Sequence, residues 1–485
     1  MTDEELLKIF LDTREWQIFE CKRAAAKPSK LLETVVGFAN IAGGFLIVGL
    51  EDPERAKNSA RLIGISENLD NVSEFLKLIE KEITPPLRAW NKFNLKIKNI
   101  QNKEDELLVV RIEKSNDIHS LRSGDTFARR GRQNIKLTAE EIIRLKYEKG
   151  SLKFEDENSR CSDLTELEES LYKKYREYNK SQEENDWAFL KDNGLVIQEK
   201  DKFFLTNAGV LLFTKNPTTI LKRKCGIKIT RYYGNKPSYT GEPNFVHRPI
   251  SIEGPVLIQI QKVMEYFKEV KKLAPPKLTG ASFQTSFLIP EWAFQEAVTN
   301  AVIHRDYSIQ DDIQIRFFDN RVEIESPGTY PGHITVSNIR TERFARNPAI
   351  LRTLNRFPES PNLDIGEGVD RMFKIMKENN LYEPLFLPPS ICPHSVLVIL
   401  FNLQRIEYWD TVSKYLDDRY RITNKAAREI TGIKDTLKMS RLLKSWVDKR
   451  LLEKVGDKAK KIVYYKKPGI EPPSILFSKG DENKL

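Results

Sequence analysis

From Gly150 to Ser162 the chain loses apolar periodicity: GSLKFEDENSRCS is polar and charged, and neither a helical nor a strand repeat can be laid through it. Such a stretch reads as a linker, and it divides a chain of 485 residues that is already too long for one ordinary core. Hydrophobic residues at 40% let each piece bury a core, while charged residues at 31% keep its surface polar. The resulting expectation is a mixed, multi-domain α+β chain with segments 1–150, 151–280, 281–404 and 405–470 and a flexible tail at 471–485.

Ahead of the linker, Leu31 to Ala42 carries apolar residues at helical spacing and stops at Gly43-Gly44, which launches a short buried strand from Phe45 to Leu50. Phe93 to Lys98 alternates apolar with polar, and Glu106 to Glu113 reads as its antiparallel partner across a polar turn. Thr138 with Glu141 forms a capping box that opens a helix through Lys149. Beyond the linker the spacing predicts a turn at Thr206 to Gly209, a strand from Val210 to Phe213 and a basic strand near Lys222 to Tyr233. A long helix follows Pro290, then strands at Asp312 to Phe318, Arg321 to Glu325 and Ser395 to Phe401, an α/β sandwich pattern.

A formal net charge of +10 favours a polyanionic partner, without separating RNA from DNA. No run of eighteen apolar residues is present to span a bilayer, and Met1 to Glu5 lacks the basic start of an export signal, so a cytoplasmic protein with no membrane partner is expected. Cys21, Cys161, Cys225 and Cys392 have no paired spacing, which argues against a disulfide framework and a thiolate zinc site. His119, His247, His333 and His394 likewise lack metal-ligand spacing.

Glu15 and Glu20 flank the apolar segment Trp16 to Phe19, Lys22 follows, and Asp52 stands just past the strand Phe45 to Leu50. Carboxylates at strand ends can converge on a hard cation such as Mg²⁺ or Mn²⁺, which would activate water and neutralise a scissile phosphate. The same spacing also suits surface ion pairs. Lys92, Lys96, Lys98, Arg129, Arg130 and Arg132 can track a phosphate backbone, with Phe127 available for stacking, or form a solvated basic face. Gly43 and Gly44 read as a turn, with Asn40 buttressing it.

The run 15-EWQIFECK-22, then 37-GFANIAGGFLIVGLED-52 and 127-FARRGRQN-134, resembles the Schlafen-type AlbA domain over roughly residues 10–150. The resemblance implies a nucleic-acid-handling α/β domain, whose ribonuclease members place catalytic, metal-binding carboxylates at the positions of Glu15, Glu20 and Asp52, with Lys22 beside them. Cys21 departs from the family's usual Phe. Other members of the family are DNA-binding regulators.

In 291-EWAFQEAVTNAVIHRDYS-308, Glu296, Asn300 and His304 recur every four residues and lie on one helical face. An Asn oxygen can ligate Mg²⁺ between phosphates and a Glu one turn earlier can orient water, although an ordinary amphipathic helix has the same spacing. This stretch, with 319-DNRVEIESPG-328, Arg346-Asn347-Pro348 and Gly366-Glu367-Gly368, resembles the C-terminal ATPase-like domain of RecG-like regulators, a branch of the GHKL superfamily. The resemblance implies ATP binding with Glu296 as water-positioner, Asn300 as Mg²⁺ ligand, Gly366 and Gly368 giving backbone access to phosphates and Gly328 shaping the adenine pocket. Ser326 departs from the family pattern at the adenine-reading position.

Residues 405 to 467 read as a winged helix whose longer helix offers Lys438, Arg441 and Lys444 to DNA, or as an oligomer contact, and a hairpin is expected across Gly456-Asp457 with the basic run Lys458 to Lys467. Two functions fit. One is a metal-dependent endonuclease, RNA of tRNA-like form favoured, gated by ATP and suited to stress or anti-phage defence. The other is an ATP-responsive DNA-binding transcription regulator that does not cut. A homo-oligomer is expected in either case.

Overall fold

The computed structural model describes residues 3–13, 15–180, 183, 185–238, 240–274, 276–279, 282–285, 287–361, 366–389, 391–457 and 462–469. The chain is a mixed α+β protein that separates into two units, one formed by 1–149, 332–338 and 406–485, the other by 150–331 and 339–405. The expected tail 471–485, and 458–461 of the expected hairpin, lie outside the described residues.

In the first unit the chain runs α1 (Asp3–Asp12), β1 (Phe19–Lys22), α2 (Pro28–Ile41), β2 (Gly44–Val48), α3 (Leu69–Glu82), β3 (Ile83–Thr84), β4 (Trp90–Lys98), β5 (Glu104–Ile112), β6 (Ser120–Leu121), β7 (Phe127–Arg130), β8 (Gln133–Lys136) and α4 (Ala139–Glu148). β1, β2, β5 and β4 form one sheet in that order, with β1 parallel to β2 and the other pairs antiparallel. β2 is apolar at every position because both its faces are covered. Leu46, Val48, Leu108 and Val110 meet α2 and α3 on one face, while Phe45, Ile47, Leu107 and Val109 meet Phe10 and Leu6 of α1 on the other.

The register places Glu20, Leu46, Val110 and Lys92 side by side across the strands, so Glu20 and the β4 lysines share a face but stand on opposite edges. Three strand spacings separate them, about 14 Å. Gly43 and Gly44 earn their place sterically: Gly43 has φ +72°, and a Cβ on Gly44 would stand 2.8 Å from the Phe38 ring. Asn40 does not buttress that turn. Its amide donates to the carbonyls of His119 and Phe127, both at 2.8 Å, and its oxygen accepts from His119 N, which fastens the entrance to β7 onto α2.

The same unit contains the helices Trp409–Asp418, Asn424–Thr431 and Thr436–Asp448, then the hairpin of Glu453–Asp457 with Ile462–Lys466, in which Gly456 and Asp457 are paired strand residues and not the expected turn. Ile422 bridges Tyr465, which ties the segment between the first two helices to the hairpin.

The second unit is built on a six-stranded sheet in the order Ile250–Ile252, Ile227–Arg231, Ile313–Phe318, Arg321–Pro327, Ser395–Phe401 and Leu385–Phe386. Thus the segment 151–280 supplies two strands to the sheet completed by 281–404. The helices Val256–Leu273 and Glu291–Ile303 pack together through Phe267 and Phe294, whose rings stack at 4.2 Å. Two expectations need correction here. Val210 to Phe213 is not a strand but the end of a helix, Asn207–Phe213, capped by Thr206 accepting from Gly209 N at 3.1 Å. The Gly150–Ser162 stretch is not a solvated linker throughout, because Phe154 and Glu155 are buried and Glu155 receives the N–H groups of Ala349 and Ile350 at 2.9 and 3.0 Å.

Candidate functional site

The acidic cluster of the first unit is assembled by a tight turn. Trp16 N donates to Phe19 O at 2.9 Å and Phe19 N returns to Trp16 O, so the chain folds back and sets Glu15 next to β1. The Glu15 carboxylate accepts from Cys21 N at 3.1 Å and lies 3.9 Å from Lys22 Nζ. Its carboxyl is held above the usual range, first by burial and then by the neighbouring Glu20. Asp52 also acts on Glu15 electrostatically, so the three acids share one region. Asp52 itself is half-buried and caps a turn, accepting from Glu54 N at 2.8 Å.

Glu20 is 2% exposed and both its oxygens are taken, one by Lys22 and the other by Arg129. Arg129 is itself buried. Its Nη1 donates to Asn134 at 3.1 Å, its Nε to Trp16 O at 3.3 Å, and its guanidinium lies 5.6 Å from the Phe38 ring centre. A cation bound by Glu20 would have to displace two side-chain cations. Among the described residues no group of three or more His, Cys, Asp or Glu side chains is arranged to hold a metal ion. Of the set Glu15, Glu20 and Asp52, Glu20 is thus already paired with Lys22 and Arg129.

Two expected nucleic-acid contacts are corrected. Arg129 is spent on Glu20 and cannot reach a phosphate, and Phe127 is buried, so it offers no stacking face. Arg130 and Arg132 are exposed on the β7–β8 turn and pair with Glu141 and Glu54 respectively. Lys92, Lys96 and Lys98 are exposed on β4. On the helix Thr436–Asp448, Lys438, Arg441 and Lys444 are exposed while Met439, Leu443 and Trp446 are buried.

In the second unit, Glu296 and Asn300 do meet: Asn300 Nδ2 donates to Glu296 Oε1 at 3.0 Å. Burial raises the Glu296 carboxyl above its ordinary range, against the hydrogen bond from Asn300 and the charge of Arg371. Gly368 opens the helix Gly368–Glu378 directly over this carboxylate, where any Cβ would overlap it. Gly366, at φ +70°, is covered in the same way by the Arg343 side chain.

His304 does not continue the face. The helix ends at Ile303, and His304 caps it, its N donating to Asn300 O at 2.9 Å. Burial, then the charge of Arg346, lower its pKa to about 4, so the ring is neutral, and its buried Nδ1 has no hydrogen-bond partner among the described residues. Gly328, at φ +109°, faces Asp306 and Arg346, which pair at 3.0 Å. Ser326 donates to Ala301 O at 2.7 Å, so the hydroxyl at the expected adenine-reading position is already used. The N-terminus of Gly368–Glu378 thus lies against the Glu296 carboxylate, Gly366 lies against Arg343, and no carboxylate stands at position 326 to read adenine.

Residues 15–138 match the family model described as "Schlafen, AlbA_2". Residues 310–392 match the one described as "Putative ATP-dependent DNA helicase recG C-terminal". The chain thus carries an N-terminal stretch similar to the Schlafen AlbA_2 family and a later stretch similar to the RecG C-terminal family. The first match contains Glu15, Glu20 and Asp52; the second contains Gly328, Gly366 and Gly368, while Glu296, Asn300 and His304 precede it. No curated protein matches. Among solved structures, the DIP2311 protein from Corynebacterium diphtheriae is 20% identical, covering 98% of this chain and 97% of that one with a TM-score of 0.42. The N-terminal domain of a "Putative ATP-dependent DNA Helicase RecG-related Protein" from Nitrosomonas europaea is 21% identical, covering 24% of this chain and 74% of that one with a TM-score of 0.19. No helix among the described residues is long and apolar enough to cross a membrane.

Reading from sequence missed three participants. Arg61 is buried beneath β1, donating to Leu11 O at 2.8 Å and to Cys21 Sγ at 3.2 Å, so the residue that departs from the family's Phe has a guanidinium as its packing partner. The Asp306–Arg346 pair and the exposed indole of Trp16 were the others. His-Arg-Asp at 304–306 was visible as a polar cluster past a helix end, but nothing local marks Arg346 as its counter-ion.

Proposed function

We propose that this chain is a cytoplasmic nucleic-acid-binding regulator whose AlbA_2 domain holds a strand without cutting it and whose RecG-like half responds to ATP. The observation that carries the reading is the Glu20 carboxylate, saturated by Lys22 and buried Arg129. A carboxylate in that state orients the β7–β8 turn and presents its cations; it is not a vacant metal ligand. Support from the C-terminal part of the first unit is the three-helix and hairpin succession, which suits a winged helix, with Lys438, Arg441 and Lys444 exposed on its longest helix.

At the second site, Mg·ATP would be held by the Asn300 oxygen and the backbone N–H groups at the start of Gly368–Glu378. Glu296 must leave that N-terminus when phosphate arrives, because two anions at one helix start repel each other. Displacement of a buried carboxylate is a means by which nucleotide binding could be felt elsewhere in the RecG-like half. A homo-oligomer suits such a regulator.

The second reading is a metal-dependent endonuclease, RNA of tRNA-like form favoured, in stress or anti-phage defence. The observation favouring it is that Glu15, Glu20 and Asp52 stand close enough for two of them to raise the carboxyl of the third. The deciding experiment incubates the full chain with Mg²⁺ or Mn²⁺ and tRNA, rRNA, single-stranded DNA or duplex DNA, alongside Glu20→Ala and Asp52→Ala. Binding without metal-dependent products, with an affinity that ATP changes, supports the regulator. Cleavage abolished in both variants transfers the function to the second reading.

A further inference from the structure

We propose that Trp16 is a stacking platform for an unpaired nucleobase, so that the AlbA_2 domain prefers single-stranded RNA or DNA to duplex. This rests on the nucleic-acid-binding reading above and adds the strand class. Trp16 is 43% exposed although it lies one residue from the buried Glu15. Its backbone is closed into a turn with Phe19 on both sides, and its carbonyl accepts from the buried Arg129 guanidinium at 3.3 Å. The indole edge rests beside the β7–β8 turn, 3.7 Å from where a Cβ on Gly131 would lie. An exposed tryptophan alone is ordinary; one fixed at its backbone and seated against an arginine-bearing turn is a preorganised aromatic face.

The charges around it suit a strand lying across the turn. Arg130 and Arg132 flank Gly131 with side chains 55% and 41% exposed, and Lys22 is 34% exposed. Their partners Glu141 and Glu54 form exposed ion pairs of the weak, salt-screened kind that a phosphodiester can displace. Glu15 and Asp52 also act on Arg132 and repel phosphate, so the backbone must run over the arginine turn and project its base toward the indole. A duplex keeps its bases paired and stacked, and cannot present such a face without unstacking.

The test is fluorescence anisotropy of labelled oligonucleotides of about 15 nucleotides, as single-stranded RNA, single-stranded DNA and each duplex, with the full-length protein, Trp16→Ala, Trp16→Phe and Arg132→Gln. Expected are tighter single-strand than duplex binding, a loss of about tenfold in Trp16→Ala for single strands only, near-complete retention in Trp16→Phe, and an unchanged salt slope. Arg132→Gln is expected to weaken both forms and lower that slope by about 0.7 to 0.9. Equal melting temperatures of the Trp16 variants and wild type show that folding is intact. Wild-type binding that Trp16→Ala leaves unchanged overturns the stacking role while the nucleic-acid reading stands; no binding of any strand by the wild type overturns both. Preference between the RNA and DNA arms identifies the strand.

Discussion

Arg129 reaches from β7 to the carboxylate of Glu20 on β1, a buried ion pair spanning 109 residues of sequence. It joins a hairpin to the sheet edge and decides the character of the acidic cluster. Truncating one partner leaves an uncompensated buried charge, which costs far more than the net worth of the pair. Arg129→Ala is expected to lower stability by about 3–5 kcal/mol in urea melts. Replacing both residues by Met is expected to recover most of that loss, and a double variant as unstable as the single one would contradict the pairing.

Asn300 should matter for ligand and little for fold. Its side chain is half-buried and its amide donates to Glu296. Asn300→Ala is expected to abolish calorimetric heat of Mg·ATP binding while its melting temperature stays near that of the wild type. Unchanged nucleotide affinity would remove the metal-ligand role.

A Cβ on Gly368 would overlap the Glu296 carboxylate. Gly368→Ala must push that buried group aside, at a cost of about 1–3 kcal/mol. Because the clash is with one side chain, Glu296→Ala combined with Gly368→Ala is expected to be less unstable than the two single losses added together. Additive thermal melts would show that the strain lies elsewhere.

Glu155 gives the second unit a pH dependence. Burial pushes its carboxyl up to about 7 from an ordinary 4.5, despite the N–H groups of Ala349 and Ile350 that favour the anion. A folded-state pKa above the unfolded one means the folded protein binds the extra proton, so this contribution is full below 4.5 and is lost as pH rises through about 7. Glu155→Gln is expected to flatten the decline measured by denaturant titration over that window.

Lys149 acts in the other unit with the opposite slope. Its ammonium donates to the carbonyls of Ala39 and Ser115, yet burial depresses its pKa to about 7 from an ordinary 10.5. The unfolded chain then holds the extra proton between these values, so stability rises with pH from about 7 to 10.5. Lys149→Met is expected to remove that rise from denaturant titrations, and a persisting rise would assign it to another group.

Periodic and capped segments are legible in the sequence. Ser395–Phe401 coincides with its expected bounds, and Thr138 and Glu141 form the capping box that their spacing announced. Val210 to Phe213 failed because four apolar residues in a row carry no period, so a buried helix and a buried strand read alike. The acids near the N-terminus were visible, but their counter-ion was not: Arg129 is one of three arginines in FARRGR, and only the alternation of β7 turns it inward while Arg130 faces solvent. The same ambiguity hid Trp16, which shares an apolar segment with the fully buried Phe19.

The six-stranded sheet ends on one side in Ile250–Ile252 and on the other in Leu385–Phe386. Strands of three and two residues offer a neighbouring molecule very few open backbone donors and acceptors, so continuous sheet extension from copy to copy gains little. Self-association through this second unit would have to be written in side chains, where single substitutions can dissolve it without disturbing the fold.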